Sequence, residues 1–134
     1  MLMPISRDLR RVEEAAAGRH GLTMWQYAIL AVVARRPGRN QAEVAAALAY
    51  SKNRIVGDLD HLERAGLVER RPGADRRANV LTITPAGRRE MTAIRAEIRH
   101  HEDELLAKLS ATARRTFVTA LRTLDEQVRR PSGR

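Results

Sequence analysis

The 134-residue chain contains no cysteine, which excludes disulfides, thiol-based oxidant sensing and thiolate metal sites. That absence fits a reducing environment, so the cytoplasm is the expected compartment. Long apolar runs are missing as well. The longest aliphatic stretch, Ala28 to Ala34, is seven residues, against the roughly 18 needed to span a bilayer. Met1 to Gly18 is charged throughout its middle, so neither a signal peptide nor a membrane partner is expected. The usual marks of catalysis are also lacking. No glycine-rich phosphate loop follows a strand, and serine, histidine and acidic residues show no catalytic spacing. Hence no enzyme and no cofactor is expected. His100 and His101 are adjacent and point to different helix faces, and no two histidines stand three or four residues apart. Glu97, His101 and Glu104 can share a face, but ordinary surface charge accounts for them, and no metal site is expected.

Arginine, by contrast, is abundant. It supplies 23 of the 25 basic residues, leaving Lys52 and Lys108, and the formal net charge is +9. Such a balance favours a polyanionic partner, although a GC-rich genome also enriches arginine, so position weighs more than total. Between Arg64 and Arg89, seven arginines face two acids, Glu69 and Asp75. The positive charge is concentrated in that region.

Periodicity divides the chain into helices with one β-prone interruption. Ile5, Leu9, Val12 and Ala16 predict a helix from Pro4 to about Gly18. A second runs from about Thr23 to Arg35, with Trp25, Ala28, Ile29, Val32 and Val33 as its stripe, and stops at Pro37-Gly38. Asn40 with Glu43 forms a capping-box pattern ahead of a short helix through Val44, Ala45 and Leu48. After a turn at Ala49-Tyr50, Ser51 is a good N-cap for a helix reaching Ala65, with Ile55, Leu59 and Leu62 buried. Gly66 supplies a left-handed stop. Leu67-Val68 and Val80 to Ile83 read as strands separated by the turn signal Pro72-Gly73, and Thr84-Pro85 starts another helix. That helix is expected to reach about Leu109, with Met91, Ile94, Ile98, Leu105 and Leu109 on its stripe. A last one, capped by Ser110, carries Phe117, Leu121, Leu124 and Val128.

Two helices joined by a tight turn and followed by an arginine-tipped hairpin have the layout of a winged helix-turn-helix. The expected fold is mainly α with a small β-hairpin wing (α+β). Amphipathic helices at both ends need a surface to cover them, and a second copy of the chain is the economical one. The plainer alternative is that they fold back on their own core. The expected organisation is a single domain, with an N-terminal dimerisation helix over residues 1–20, a DNA-binding region over 21–84 and C-terminal dimerisation helices over 85–130. A two-fold dimer spaces its reading helices by about one DNA turn, ~34 Å, which suits a pseudo-palindromic operator.

From about Gly21 to Leu124 the chain resembles the MarR family of bacterial transcriptional regulators. The matching pieces are Leu22-Thr23 leading into Trp25 and Leu30, Glu43-Val44-Ala45 with Leu48, and Leu62 to Arg70. Asp75-Arg76-Arg77-Ala78 and Leu81 to Gly87 complete the ordered set. The resemblance implies a homodimeric repressor or activator whose affinity for DNA is often altered by a small ligand. There is one departure. In the family the middle of the recognition helix often carries serine and then arginine, where this chain has Val56 and Gly57, and Asp58 stands where an apolar residue is more usual.

Lys52, Asn53 and Arg54 occupy the first turn of the recognition helix, which normally meets base edges. Arginine can chelate guanine O6/N7, and asparagine can pair with adenine. Ser51 is first a cap and second a phosphate contact. At the wing tip, Arg76 and Arg77 suit the negative minor groove, with Arg77 favoured by the family pattern, and Asp75 would orient one of them. Arg70, Arg71 and Arg88 are candidates for backbone phosphates. Asp58, Asp60 and Glu63 read as an exposed acidic patch. The family's cleft for aromatic ligands makes His20, Trp25 and Tyr27 candidate contacts for a small aromatic effector, although Trp25 also fits the core. Rival readings are a non-specific nucleic-acid-binding or architectural protein, a protein-interaction module that has lost specific DNA binding, and a metal-responsive regulator.

Overall fold

In the computed structural model, residues 2–74 and 79–130 are described. Among them run α1 (Leu2–Arg19), α2 (Met24–Arg35), α3 (Gln41–Ala47), α4 (Lys52–Arg64), β1 (Val68–Pro72), β2 (Asn79–Ile83), α5 (Pro85–Leu106) and α6 (Ala111–Arg129). They fall into two compact units, Met1–Ile98 and Arg99–Arg134, with the division inside α5. No helix among the described residues is long and apolar enough to cross a membrane.

The helix starts follow local chemistry. Thr23 Oγ1 accepts from Gln26 N–H at 3.1 Å, and Gln26 Oε1 accepts from Thr23 N–H at 3.0 Å. Asn40 and Glu43 make the same reciprocal pair at 2.9 and 3.3 Å. Both are capping boxes, each satisfying two backbone donors that the helix leaves free. Ser51 Oγ accepts from Arg54 N–H at 3.3 Å, and Ser110 Oγ accepts from Ala113 N–H at 3.1 Å. Gly66, at φ +73, ends α4 in the left-handed conformation its position demands.

β1 and β2 pair antiparallel from Val68↔Ile83 to Pro72↔Asn79. The expected turn at Pro72-Gly73 therefore starts one residue later, because Pro72 closes β1, where a missing N–H costs little. The segment before α3 joins this hairpin. Leu81 N–H donates to Arg39 O at 2.8 Å, Gly38 N–H donates to Leu81 O at 3.2 Å, and Asn40 bridges Val80. A short second set of backbone contacts thus ties the start of the helix-turn-helix to the wing.

The core of the first unit is continuous. Ile29, Leu30 and Val33 of α2, Val44 of α3, Ile55, Leu59 and Leu62 of α4, Val68 and Leu81 of the hairpin, and Ile94 of α5 are all fully buried. On α2 the buried face includes Gln26, whereas Trp25, expected on the apolar stripe, is half-buried. α1 buries only Ala16 and Ala17 and leaves Leu2, Met3 and Ile5 exposed. In the second unit Arg114 Nη2 bonds Asp103 Oδ1 at 2.8 Å across the turn into α6. α6 buries none of its residues, and Phe117, Leu121, Leu124 and Val128 are 43%, 50%, 60% and 83% exposed.

Two helical glycines carry opposite predictions. At the start of α5, Thr84 N–H donates to Leu67 O at 3.1 Å, and the Thr84 hydroxyl donates to Gly66 O at 2.6 Å. This draws α5 so close to the residue before β1 and to the end of β2 that a Cβ on Gly87 would lie 2.1 Å from Leu67 O and 2.9 Å from Ile83 Cγ1. Gly87→Ala must move backbone and should cost about 2 kcal/mol or more. A Cβ on Gly57 meets nothing within 4 Å, so Gly57→Ala should add about 1 kcal/mol through helix propensity. Urea titrations of both variants check the pair, with midpoints moving in opposite directions.

Candidate nucleic-acid interface

The turn between α3 and α4 leaves the start of α4 bare. Ala49 takes φ +49, a left-handed conformation that costs a non-glycine residue about 1 kcal/mol. Ala49 N–H donates to Ala46 O at 3.2 Å and Tyr50 N–H donates to Ala45 O at 2.9 Å, which holds the kink. Ser51 then caps α4, so Ser51, Lys52, Asn53 and Arg54 are gathered at one exposed helix start. Among the described residues the side chains of Lys52, Asn53 and Arg54 make no hydrogen bond or ion pair. With the helix dipole behind them, two cations and an amide are free to meet phosphates or base edges.

The opposite face of α4 holds a correction. Positions 55, 58, 59 and 62 follow the i, i+3, i+4, i+7 rule of a buried stripe, and position 58 is an aspartate. Asp58 is half-buried rather than part of an exposed acidic patch, because a carboxylate on a buried face must find donors. Its Oδ1 accepts from Gln26 Nε2 at 3.1 Å, and its Oδ2 accepts from the Tyr50 hydroxyl at 2.6 Å. Burial, reinforced by the bond to Asp58, pushes the Tyr50 phenol above its ordinary pKa and keeps it a donor. Trp25 stacks on Tyr50 with ring centres 4.4 Å apart and planes 20° from parallel. Neither Gln26 nor Tyr50 stood out in the sequence. The one signal was the charge at position 58, which breaks an apolar spacing.

Asp60 and Glu63 are occupied by the wing. Arg70 Nη2 bonds Asp60 Oδ1 at 3.0 Å, and Arg70 Nη1 bonds Glu63 Oε2. A phosphate contact by Arg70 would first have to displace these carboxylates, so in this structure Arg70 clamps α4 to β1. Arg71 Nη2 pairs with Glu69 Oε2 at 2.9 Å. Arg88 is exposed on the first turn of α5. Asp75, Arg76 and Arg77 lie outside the described residues.

His20, Trp25 and Tyr27 are engaged separately. His20 faces α5, with Nδ1 2.5 Å from Glu90 Oε2 and Nε2 3.3 Å from Glu97 Oε1. Arg19 Nη2 reaches Glu97 Oε2 at 2.7 Å. Trp25 belongs to the Tyr50 stack, and Tyr27 packs half-buried against the core. Among the described residues no group of three histidine or acidic side chains is placed to hold a metal ion.

The clasp between the end of α1 and α5 titrates. The hydrogen bond to Glu90, aided by Glu97, raises the His20 pKa above its ordinary value despite opposing burial. The bond from Arg19, aided by His20, lowers that of Glu97. Stability from His20 is therefore fully present below the ordinary histidine pKa and is lost as pH rises through the raised one. Stability from Glu97 is present above the ordinary carboxylate pKa and is lost as pH falls through the lowered one. Wild type should exceed His20→Gln most between about pH 5 and 6.5, with the gap closing toward alkaline pH. Thermal midpoints of both proteins across that range check the sign.

The comparisons with known proteins agree with this architecture. The family model described as MarR family matches residues 20–78. A Thauera aromatica protein named as a putative transcriptional regulatory protein for the hcr operon is 32% identical over 108 residues. That alignment covers 80% of this chain and 65% of the relative, so the chain spans just under two thirds of the relative's length. The HTH-type transcriptional repressor Rv2887 of Mycobacterium tuberculosis is 29% identical over 125 residues, 92% of this chain and 90% of that protein. Its crystal structures include a complex with DNA (TM-score 0.78, covering 92% of this chain and 93% of that one) and one with p-aminosalicylic acid (TM-score 0.77, covering 92% and 95%). The crystal structure of MarR superposes with a TM-score of 0.84 at 30% identity, covering 95% of this chain and 87% of that one. At 30% identity over 87% of the length of MarR, and with a capped, exposed helix followed by a hairpin, the chain belongs to the MarR family, whose members are transcriptional regulators and not enzymes.

Proposed function

We propose that this protein is a sequence-specific DNA-binding repressor that acts in the cytoplasm as a homodimer on a pseudo-palindromic operator. The observation that carries the reading is the exposed first turn of α4, where the side chains of Lys52, Asn53 and Arg54 make no hydrogen bond or ion pair among the described residues. Arg54 and Asn53 read base edges in the major groove, while Lys52 and the Ser51 hydroxyl hold phosphate. Arg76 and Arg77, assigned from the sequence, enter the minor groove beside it, with Asp75 orienting one of them. Arg70 acts mainly by fixing the wing to α4 through Asp60 and Glu63.

Dimerisation is supported by the exposed apolar residues of the terminal helices. On α1, Leu2, Met3 and Ile5 are exposed, and on α6, Leu121, Leu124 and Val128 are, so each of these helices presents an apolar face suited to a partner. Repression follows the name of the mycobacterial relative. That relative's complex with p-aminosalicylic acid supports a small aromatic acid as effector here, with His20, Trp25 and Tyr27 as the residues to test.

Footprinting on the DNA upstream of the protein's own gene, against a scrambled duplex, tests the reading. Protection of one inverted repeat at concentrations that leave the scrambled duplex free is the expected result. Equal, salt-sensitive coating of both duplexes would instead mark a non-specific architectural protein. On the protected repeat, Arg54→Ala should cost about 1–3 kcal/mol, with a smaller loss on scrambled DNA. An equal loss on both would reduce Arg54 to a phosphate contact.

A further inference from the structure

We infer that Asp58, Tyr50 and Gln26 form a polar bracket that sets the orientation of α4 for base reading, which makes Asp58 a positioning residue for operator specificity. The inference rests on α4 being the DNA-reading helix. Apart from Asp58, the buried face of α4 consists of Ile55, Leu59 and Leu62. Apolar contacts of that kind are strong but non-directional, so by themselves they leave a short helix free to rock about its axis. Hydrogen bonds are directional, and Asp58 makes two of them to two different elements. Gln26 donates from the first turn of α2, and Tyr50 donates from the turn between α3 and α4.

Both donors are themselves fixed. Gln26 is only 7% exposed, and its Oε1 is held by Thr23 N–H at 3.0 Å, which leaves Nε2 a single orientation. Tyr50 is stacked on Trp25, the residue next to Gln26 in sequence. The chain of contacts therefore closes on itself at the start of α2. It grips α4 at position 58, one helical turn after Arg54, so a displacement there reaches the base-reading residues directly. The cost explains why an apolar residue would be the simpler choice. A half-buried carboxylate needs every donor it has, and its negative charge opposes phosphate. Its return is angular definition of the reading helix.

The test exchanges donor for acceptor. Asp58→Asn leaves one acceptor oxygen for two donors, so either Gln26 Nε2 faces an NH2 group or Tyr50 must stop donating and accept from the new amide, and in both cases the charge-assisted bonds of the bracket are lost. Adding Gln26→Glu restores it: one oxygen of the new carboxylate accepts from Thr23 N–H and the other from the amide introduced at position 58. The oxygen of that amide still accepts from Tyr50, and the net charge returns to that of wild type. Affinities of the three proteins are measured by fluorescence anisotropy at one salt concentration, on a duplex carrying the footprinted repeat and on a scrambled one. In Asp58→Asn the operator-to-scrambled ratio should fall about tenfold, with helical circular dichroism intact, and the double variant should return to within about threefold of wild type. Emission from Trp25, the sole tryptophan, should shift in the single variant and recover in the double one. If Asp58→Asn does not fold, Tyr50→Phe removes one bond while keeping the stack and should lower the same ratio.

A folded single variant with the wild-type ratio, or a folded double variant that fails to recover it, overturns the bracket and leaves the DNA reading standing. A wild-type protein with no preference for the repeat overturns the DNA reading and the bracket with it.

Discussion

The proposed reading helix must bury one face and leave the other bare, and α4 has 13 residues in which to do both. Three fully buried aliphatic side chains, Ile55, Leu59 and Leu62, account for most of its attachment to the core. Everything around the helix serves that division. The Ser51 cap and the left-handed Ala49 release the first turn from the preceding helix. Gly66 ends the last turn sharply enough for Leu67 to re-enter the core. Polar partners at position 58 hold the buried face in one orientation. Without burial of that face, the exposed cations would have no fixed direction to point in.

Charge is sorted as deliberately as apolarity. The distal half of α4 is acidic, which by itself would repel a polyanion, and the structure answers each carboxylate separately. Asp58 is turned inward onto Gln26 and Tyr50, and Asp60 and Glu63 are taken up by Arg70 from the wing. What remains uncommitted near the N-terminus of the helix is positive. A net charge of +9 would give only general stickiness. Pairing the acids away from the first turn gives that charge a location.

The parts legible in the sequence were those decided over three or four residues. Caps at Asn40, Ser51 and Ser110, the stop at Gly66 and the alternation of helices with one hairpin all depend on neighbours along the chain. The parts that were not legible depend on side chains far apart in sequence. Asp58 looked like surface because its partner Gln26 stands 32 positions away, and a glutamine on an apolar helix face gives no sign of being buried. Arg70 looked like a free cation because its acids belong to another element. His20 and Trp25, adjacent to one helix junction, turn to different neighbours, the first to α5 and the second to Tyr50. The wing tip, residues 75–78, was read from the sequence alone.

The short ladder between the segment before α3 and β2 carries a consequence for how such a protein would sit on a duplex. Arg39 O, Gly38 N–H and the Asn40–Val80 bridge tie the start of α3 to β2 by backbone contacts, so the described part of the hairpin and the helix-turn-helix share one hydrogen-bonded base. A duplex met by α4 and the hairpin together, as proposed above, would have to deform wherever its grooves do not match the spacing that this base sets. The energy of deforming it would then enter the choice of site at base pairs that no side chain touches.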